Sequence, residues 1–293
     1  MTHTPMTDTH TPHTTPFPGF TDPRPVLVTG GTGKTGRRVA SRLAARGVPV
    51  RLGSRAARPA FAWDDPATWG PALDGTRAVY LAYAPDLALD GAAEVVGAVA
   101  AEARARGAER VVLLSGRGEE GAERGERAVQ RSGLDWTVVR AAWFDQNFSE
   151  GYLLDAVMDG VVAFPAGDIA EPFVDADDVA EVAAAALCEP GHAGRLYEVT
   201  GPDLLTWGEA VAELGAASGR AVTYQPIGID DYAAGARAEG YPDDLVDMLV
   251  DLFRQVLDGH NAYVTGGVEE ALGRPARSFT DFARDAARAG AWA

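Results

Sequence analysis

The chain has 293 residues, with 42 acidic against 26 basic side chains and a formal charge of −16. Such a surface repels phosphate backbones, which excludes nucleic acid as an expected partner, and by long-range steering it favours a cationic small molecule. Hydrophobic residues make up 46%, enough for one large α/β domain or a core with an appended lobe, and the one cysteine, Cys188, excludes an internal disulfide and reads as a small buried residue in a reducing compartment.

Residues 1–24 are rich in Thr, Pro and His with almost no aliphatic content, and read as a disordered tail. The tail lacks the apolar centre of a signal peptide. His3, His10 and His13 have no folded frame there, so no metal is expected. No run of about 18 apolar residues occurs, so no membrane span is expected, and the chain is placed in the cytoplasm.

From Pro25 the pattern changes. Val26, Leu27 and Val28 form a short apolar run, Gly30, Gly33 and Gly36 follow at equal spacing, and Val39, Ala40, Leu43 and Ala44 recur at helical spacing. Strand, glycine turn and helix in that order make the first unit of a dinucleotide-binding fold. Glycine accepts positive φ and lets backbone approach a pyrophosphate closely, while amides at the helix start face the phosphate. The loop is not a Walker P-loop, because Val28 stands where that motif needs a glycine five places before Gly33. Gly30, Thr32, Gly33, Lys34, Thr35 and Gly36 are the candidate cofactor contacts of this loop.

Gly47 closes the helix, residues 48–52 read as a second strand, and Ser54 and Arg55 follow. A carboxylate at that strand end would accept from an NAD ribose, whereas an arginine pairs with a 2′-phosphate. No acid occurs between the glycine loop and Asp64, but Arg51, Arg55 and Arg58 do, so NADP(H) is the expected cofactor. Trp63 and Asp64 fall where a loop covers an adenine ring. Strands are expected at 78–82, 110–114 and 136–139, and helices at 92–106 and 119–131. In open α/β sheets ligands collect beyond the carboxyl ends of the strands. That rule joins 30–36, 54–55, 82–85, 115–117 and 141–144 into one rim and adds Ala82, Tyr83 and Ser115 to the cofactor set. Trp143, Phe144, Asn147 and Tyr152, crowded after the fifth strand, are expected to wall a substrate pocket.

Further on, Asp175 opens a helix to Leu187, with carboxylates at its positive end. A strand follows at 196–199, Thr206-Trp-Gly-Glu209 is a capping box, and 222–227 is a short strand. Helices are expected from 230, the longest over 242–257, and Ser278 starts the last. The expected fold is α/β, a Rossmann-type doubly wound parallel sheet over 25–160. A smaller, mostly helical C-terminal lobe follows over 161–293, partly interleaved with this core and closing its substrate side.

These residues resemble the NmrA-like group of atypical short-chain dehydrogenases over nearly the whole chain after the tail. The likeness rests on Val-Thr-Gly-Gly-Thr-Gly-Lys-Thr-Gly at 28–36, Ser-Gly-Leu-Asp-Trp-Thr-Val-Val-Arg at 132–140, Trp-Phe-Asp-Gln-Asn-Phe at 143–148, Phe-Val-Asp-Ala-Asp-Asp-Val-Ala at 173–180 and Leu-Gly-Arg-Pro-Ala-Arg-Ser-Phe at 272–279. The loop Lys-Thr and the Trp-Phe…Asn-Phe-Ser segment are similar to the festuclavine and agroclavine dehydrogenases of ergot-alkaloid secondary metabolism. Similar residues occur in NADPH-dependent quinone and azo reductases. The resemblance implies an NADP-binding oxidoreductase. It leaves two alternatives open, a redox sensor that binds NADP(H) without turnover and a redox-neutral cyclase or isomerase.

Ordinary short-chain dehydrogenases use Tyr-x-x-x-Lys, and here the one lysine, Lys34, has Gly30 four places before it. The helix where the relay would lie reads Glu123-Arg-Gly-Glu-Arg127, and arginine does not release a proton near neutral pH. General acid catalysis is worth about 10²–10⁴ in rate. An enzyme without a strong acid is therefore expected to reduce an iminium or imine, or a conjugated enone or quinone, rather than a simple ketone. Asp145 and Glu150 beside the aromatic segment favour a cationic acceptor. Tyr83, Ser115 and Tyr152 are the candidate catalytic residues, orienting the acceptor or donating a weak hydrogen bond, and the chain is expected to act as a monomer or homodimer.

Overall fold

A computed structural model describes residues 22–293. Residues 1–21, with the three tail histidines, lie outside the described residues. Arg24, at the end of the expected tail, pairs with Asp22 at 2.7 Å and Glu109 at 2.6 Å.

β1 (Val26–Thr29) runs through the glycine turn into α1 (Lys34–Ala45), and β2 (Val50–Gly53) follows. A short 3-10 turn leads to α2 (Trp69–Leu73), then β3 (Ala78–Leu81), α3 (Ala92–Ala105), β4 (Arg110–Gly116), α4 (Glu120–Gln130) and β5 (Asp135–Ala141). The elements match the sequence reading, with one consequential difference. β4 runs on past Leu114, so Ser115 lies in the ladder opposite Arg140.

The second half contributes α5 (Asn147–Glu150), α6 (Leu154–Asp159), β6 (Val161–Phe164), β7 (Ala170–Glu171), α7 (Ala176–Cys188) and β8 (Arg195–Val199). It continues with β9 (Leu205–Thr206), α8 (Trp207–Ser218), β10 (Thr223–Pro226), α9 (Ile229–Ala238), α10 (Asp243–Val256), α11 (Gly267–Leu272) and α12 (Phe279–Arg288). The main sheet has six parallel strands in the order β2-β1-β3-β4-β5-β8. The chain leaves β1 to one side for β2 and to the other for β3, so the crevice at the strand order's turning point opens between β1 and β3.

Strand residues alternate between two covered faces, which is why these strands read as unbroken apolar runs. Val26, Val28, Val112 and Val139 pack with Val39 and Leu43 of α1 and the alanine face of α7. Leu27, Val79, Leu81, Val111 and Leu113 pack with α2, α3 and α4. A third cluster, around Phe148, Phe164, Trp207, Phe253 and Phe279, holds the C-terminal elements together. β6 pairs with β10 in parallel and β7 with β9 antiparallel, small sheets whose strands β6, β7 and β9 the sequence reading did not separate. The capping box at Thr206 and Glu209 is present. Cys188 is half-buried rather than buried, beside Arg77. Among the described residues no helix is long and apolar enough to cross a membrane.

Two motifs distant in sequence meet at the start of α7. Asp175 caps the helix through the Asp177 amide, while Arg277 reaches Asp175 at 2.8 Å and Arg274 reaches Asp178 at 2.7 Å. Both aspartates are fully buried, so these pairs fasten the C-terminal segment to the core. That is the structural role their place at the helix start implied.

Candidate active site

The glycine loop forms a backbone cradle at the carboxyl end of β1. Gly30 takes a φ of +60° and lies against Ala82, and the Gly33 amide donates to the Gly30 carbonyl at 2.8 Å. Gly36 brings the first turn of α1 against the loop: a Cβ there would sit 2.2 Å from the Gly30 oxygen. Among the described residues no side chain caps α1, and its first turn carries no acid, so the amides at its start can face an anion. The residues present therefore fit a dinucleotide pyrophosphate. Thr29, which the sequence reading passed over, ties the cradle to its neighbour: its hydroxyl donates to the Tyr80 carbonyl at 3.0 Å and accepts from the Ala82 amide at 2.9 Å.

The expected cofactor contacts divide. Thr32 and Gly33 are exposed on the loop, but Thr35 is buried on the core face of α1, so it offers its amide alone. Ser54 is half-buried, and Arg55 is exposed with no hydrogen bond or ion pair among the described residues. Arg51 is committed elsewhere, donating to the carbonyls of Ala72 at 2.8 Å and Asp74 at 2.6 Å. Asp64 is exposed, and Trp63 packs between Phe61 and Tyr83 with ring centroids 4.9 Å apart on both sides.

Lys34 turns away from the loop. Its Nζ donates to Asn147 Oδ1 at 2.5 Å and stands 5.9 Å from the Phe144 ring. Burial, then Arg38 and Arg37, push its pKa down to about 8. This contact joins the cradle to the segment expected to wall the substrate. Phe144 and Asn147 thus lie beside the site, whereas Trp143 is half-buried and packs against Phe164, Trp207 and Phe253 of the third core cluster at 5.4–6.0 Å. Tyr152 is 52% exposed beside Phe164.

Two further expectations are corrected. Asp145 is fully buried, its pKa raised by burial and by Asp175 and Asp178, and Glu150 is paired with Arg37 and Arg38. Neither carboxylate is free to meet a cationic acceptor. Ser115 is also committed: the residue is 3% exposed, its hydroxyl donates to Glu126 Oε1 at 2.6 Å, and Arg140 holds the same carboxylate at 2.9 and 2.6 Å. Of the three candidate catalytic side chains, Tyr83 stays at the strand ends, half-buried and without a hydrogen bond among the described residues.

Beyond β4 the site is walled by segments far apart in sequence. Arg117, 5% exposed, donates to Glu198 Oε1 at 2.5 Å and to the carbonyls of Asn261 at 2.6 Å and Tyr263 at 3.0 Å, and lies 3.9 Å from the Tyr263 ring. These residues, with Arg140 and His260, line a cleft of ≈ 280 Å³. The sequence placed Arg117 on the rim but carried no sign of its partners. Glu119 and Glu126 were also missed, though both reach the end of β4, Glu119 at Gly116 and Glu126 at Ser115.

Comparison with known proteins agrees with this architecture. A family model described as NAD(P)H-binding matches residues 30–190. The chain is 34% identical over 287 residues to the (4-alkanoyl-5-oxo-2,5-dihydrofuran-3-yl)methyl phosphate reductase of Streptomyces griseus, covering 90% of this chain and 98% of that one. It is 29% identical over 283 residues to agroclavine dehydrogenase of Claviceps fusiformis, covering 89% and 96%. Among solved structures, an NADPH-dependent quinone oxidoreductase of Escherichia coli complexed with NADPH matches with a TM-score of 0.72 at 25% identity, covering 89% and 99%.

Proposed function

The chain belongs to the NAD(P)H-binding family, among the NmrA-like atypical short-chain dehydrogenases, and we propose that this oxidoreductase prefers NADPH and reduces a neutral conjugated electrophile, an enone or quinone. Arg55 carries the reading. It is an exposed cation just past β2, without an ion pair among the described residues and beside the cradle, where a 2′-phosphate distinguishes the two dinucleotides. A charge-assisted contact of this kind contributes about 1.5–3 kcal/mol. When bound, the nicotinamide supplies hydride. The chain's own residues hold the phosphates at the loop amides and cover the adenine side with Trp63. They flank the reacting end with Ala82 and Tyr83.

The acceptor follows from charge. With Asp145 buried and Glu150 paired, the cation that remains beside Phe144 is Lys34. A positive wall disfavours an iminium and tolerates a neutral carbonyl compound that gains negative charge as it is reduced. The chain's one lysine serves Asn147 here, which leaves no Tyr-x-x-x-Lys pair to reduce a simple ketone. The Streptomyces griseus relative, named for an oxo-dihydrofuran substrate, supports the conjugated class.

Binding and turnover test both halves. NADPH is expected to bind ten- to a hundredfold more tightly than NADH, and Arg55→Ala to erase that difference. Equal loss of both dinucleotides would remove Arg55 from the 2′-phosphate. Across enones, quinones and iminium ions, NADPH oxidation is expected to be fastest with the neutral acceptors. An iminium as best substrate overturns the acceptor half.

A further inference from the structure

Two carboxyl groups flank the end of β4, and only one is engaged. Glu126 is held by Ser115 and Arg140. Glu119, the residue that opens α4, lies directly on the last residue of the strand: a Cβ on Gly116 would fall 2.1 Å from its Oε1 and 2.3 Å from its Oε2. No hydrogen bond or cation engages this carboxyl among the described residues. The start of α4 is pressed onto the loop after β3, since a Cβ on Gly121 would meet the Ala88 carbonyl at 2.1 Å. That loop carries Asp86, whose carboxylate accepts from the Ala88 amide at 2.7 Å. The half-buried Glu119 side chain thus sits between the loop after β3 and the end of β4, where the reacting end of a bound dinucleotide belongs in such sheets.

We infer that Glu119 is the proton donor of the reduction, the acid that stands in for the missing tyrosine–lysine pair. The inference rests on the reductase reading above. Its environment keeps the carboxyl protonated: burial first, then Asp86 and Glu126, push it up to about 8. The facing groups are Asp86 from the loop after β3 and Glu126 from α4, the latter held as an anion by its pair with Arg140 of β5, which also approaches Glu123 at 3.7 Å. A pair of carboxyls driven apart in this way by their surroundings marks an acid and a fixed anion. Reduction of an enone adds hydride and a proton across its C=C bond. The dinucleotide supplies the hydride and is oxidised. The Glu119 O–H bond breaks, the enolate left by hydride addition takes that proton, and the carboxylate regains one from water.

The test sets two acceptors against each other in the full chain. Cyclohexenone leaves an enolate that needs a proton, whereas the malachite green cation is neutralised by hydride alone. Glu119→Gln is expected to lower turnover of the enone about a hundredfold more than that of the dye, and to remove the loss of enone turnover at basic pH. Asp86→Asn is expected to move that loss to lower pH, because a repelling charge is gone. An infrared difference spectrum of the free protein at pH 7, wild type minus Glu119→Gln, is expected to contain a protonated-carboxyl band. Equal loss with both acceptors, or absence of the band, overturns the donor role while leaving the reductase reading standing. No NADPH oxidation with either acceptor overturns the reductase reading and the donor role with it.

Discussion

The two halves of the sheet's carboxyl edge are made of different material. On the β1–β2 side the groups left for a ligand are mostly backbone, the loop amides of 30–36 and the start of α1, with the exposed Arg55 side chain, which has no hydrogen bond or ion pair among the described residues. On the β4–β8 side the arginines are consumed within the protein, Arg117 by Glu198 and two carbonyls, Arg140 by Glu126. Backbone donors carry no side-chain entropy to lose on binding. The first half is built to grip a ligand, and the second to keep the shape of the wall around its reacting end. Glu119 is the exception on that second side, an ionisable group without a hydrogen bond or ion pair among the described residues.

The strongest way to break the comparison is to remove the clamp from the wall. Arg117→Ala leaves a buried space, the carbonyls of Asn261 and Tyr263, and a carboxylate on Glu198 deprived of its cation. Losing one member of a buried pair costs about 3–5 kcal/mol, which urea denaturation would read directly. NADPH affinity should change far less, because the cradle is fastened through Thr29 and Gly30 instead. If stability and cofactor affinity fell together, the two halves would be one coupled unit.

Next in size is a pH effect confined to the wall. Glu171 of β7 is 1% exposed, and one of its oxygens has no hydrogen-bond partner among the described residues. Burial pushes it up to about 7, with Arg117 opposing and Asp258 reinforcing the shift. Between the ordinary value of 4.5 and about 7 the folded chain keeps a proton that the unfolded chain has lost. Stability therefore falls as pH rises through that window and levels off above it, by on the order of 3 kcal/mol. Glu171→Gln should lack this component, so the two denaturation curves should diverge from pH 5 to pH 8. Parallel curves would mean that Glu171 is better solvated than its burial implies.

The same contrast governs what could be read before the structure. The cradle was legible because its elements are neighbours in sequence and its requirement, closeness of backbone, selects a residue type directly: Gly30, Gly33 and Gly36. The place of Arg55, exposed two residues past the end of β2, was legible for the same reason. The wall was not. Arg117 finds Glu198, Asn261 and Tyr263 across the fold, and nothing local in Asn-Ala-Tyr foretells a carbonyl aimed at a guanidinium 144 residues earlier. Trp143 shows the converse difficulty, since an aromatic at a strand end reads alike whether it only faces a pocket or, as here, also packs on Trp207 and Phe253. Asp145 misled because sequence gives its charge but not its burial.

The smallest of these effects on stability sharpens the claim that the cradle is backbone. Gly36→Ala places a Cβ 2.2 Å from the Gly30 oxygen and 2.6 Å from its carbonyl carbon, and neither atom can rotate aside. Either α1 slides outward or the loop lifts from β1. Overpacking of this kind costs about 1–3 kcal/mol, yet its effect on NADPH should be at least that of Arg55→Ala, because every amide of the cradle moves at once. Gly33→Ala is the internal standard. Its Cβ meets the same oxygen at 3.2 Å, a contact that a shift of a few tenths of an ångström relieves. Calorimetry with NADPH should therefore separate the two alanines clearly, Gly36→Ala losing binding and Gly33→Ala keeping most of it. Similar losses at both positions would mean that the loop binds through its flexibility, and the backbone account of this half would fall.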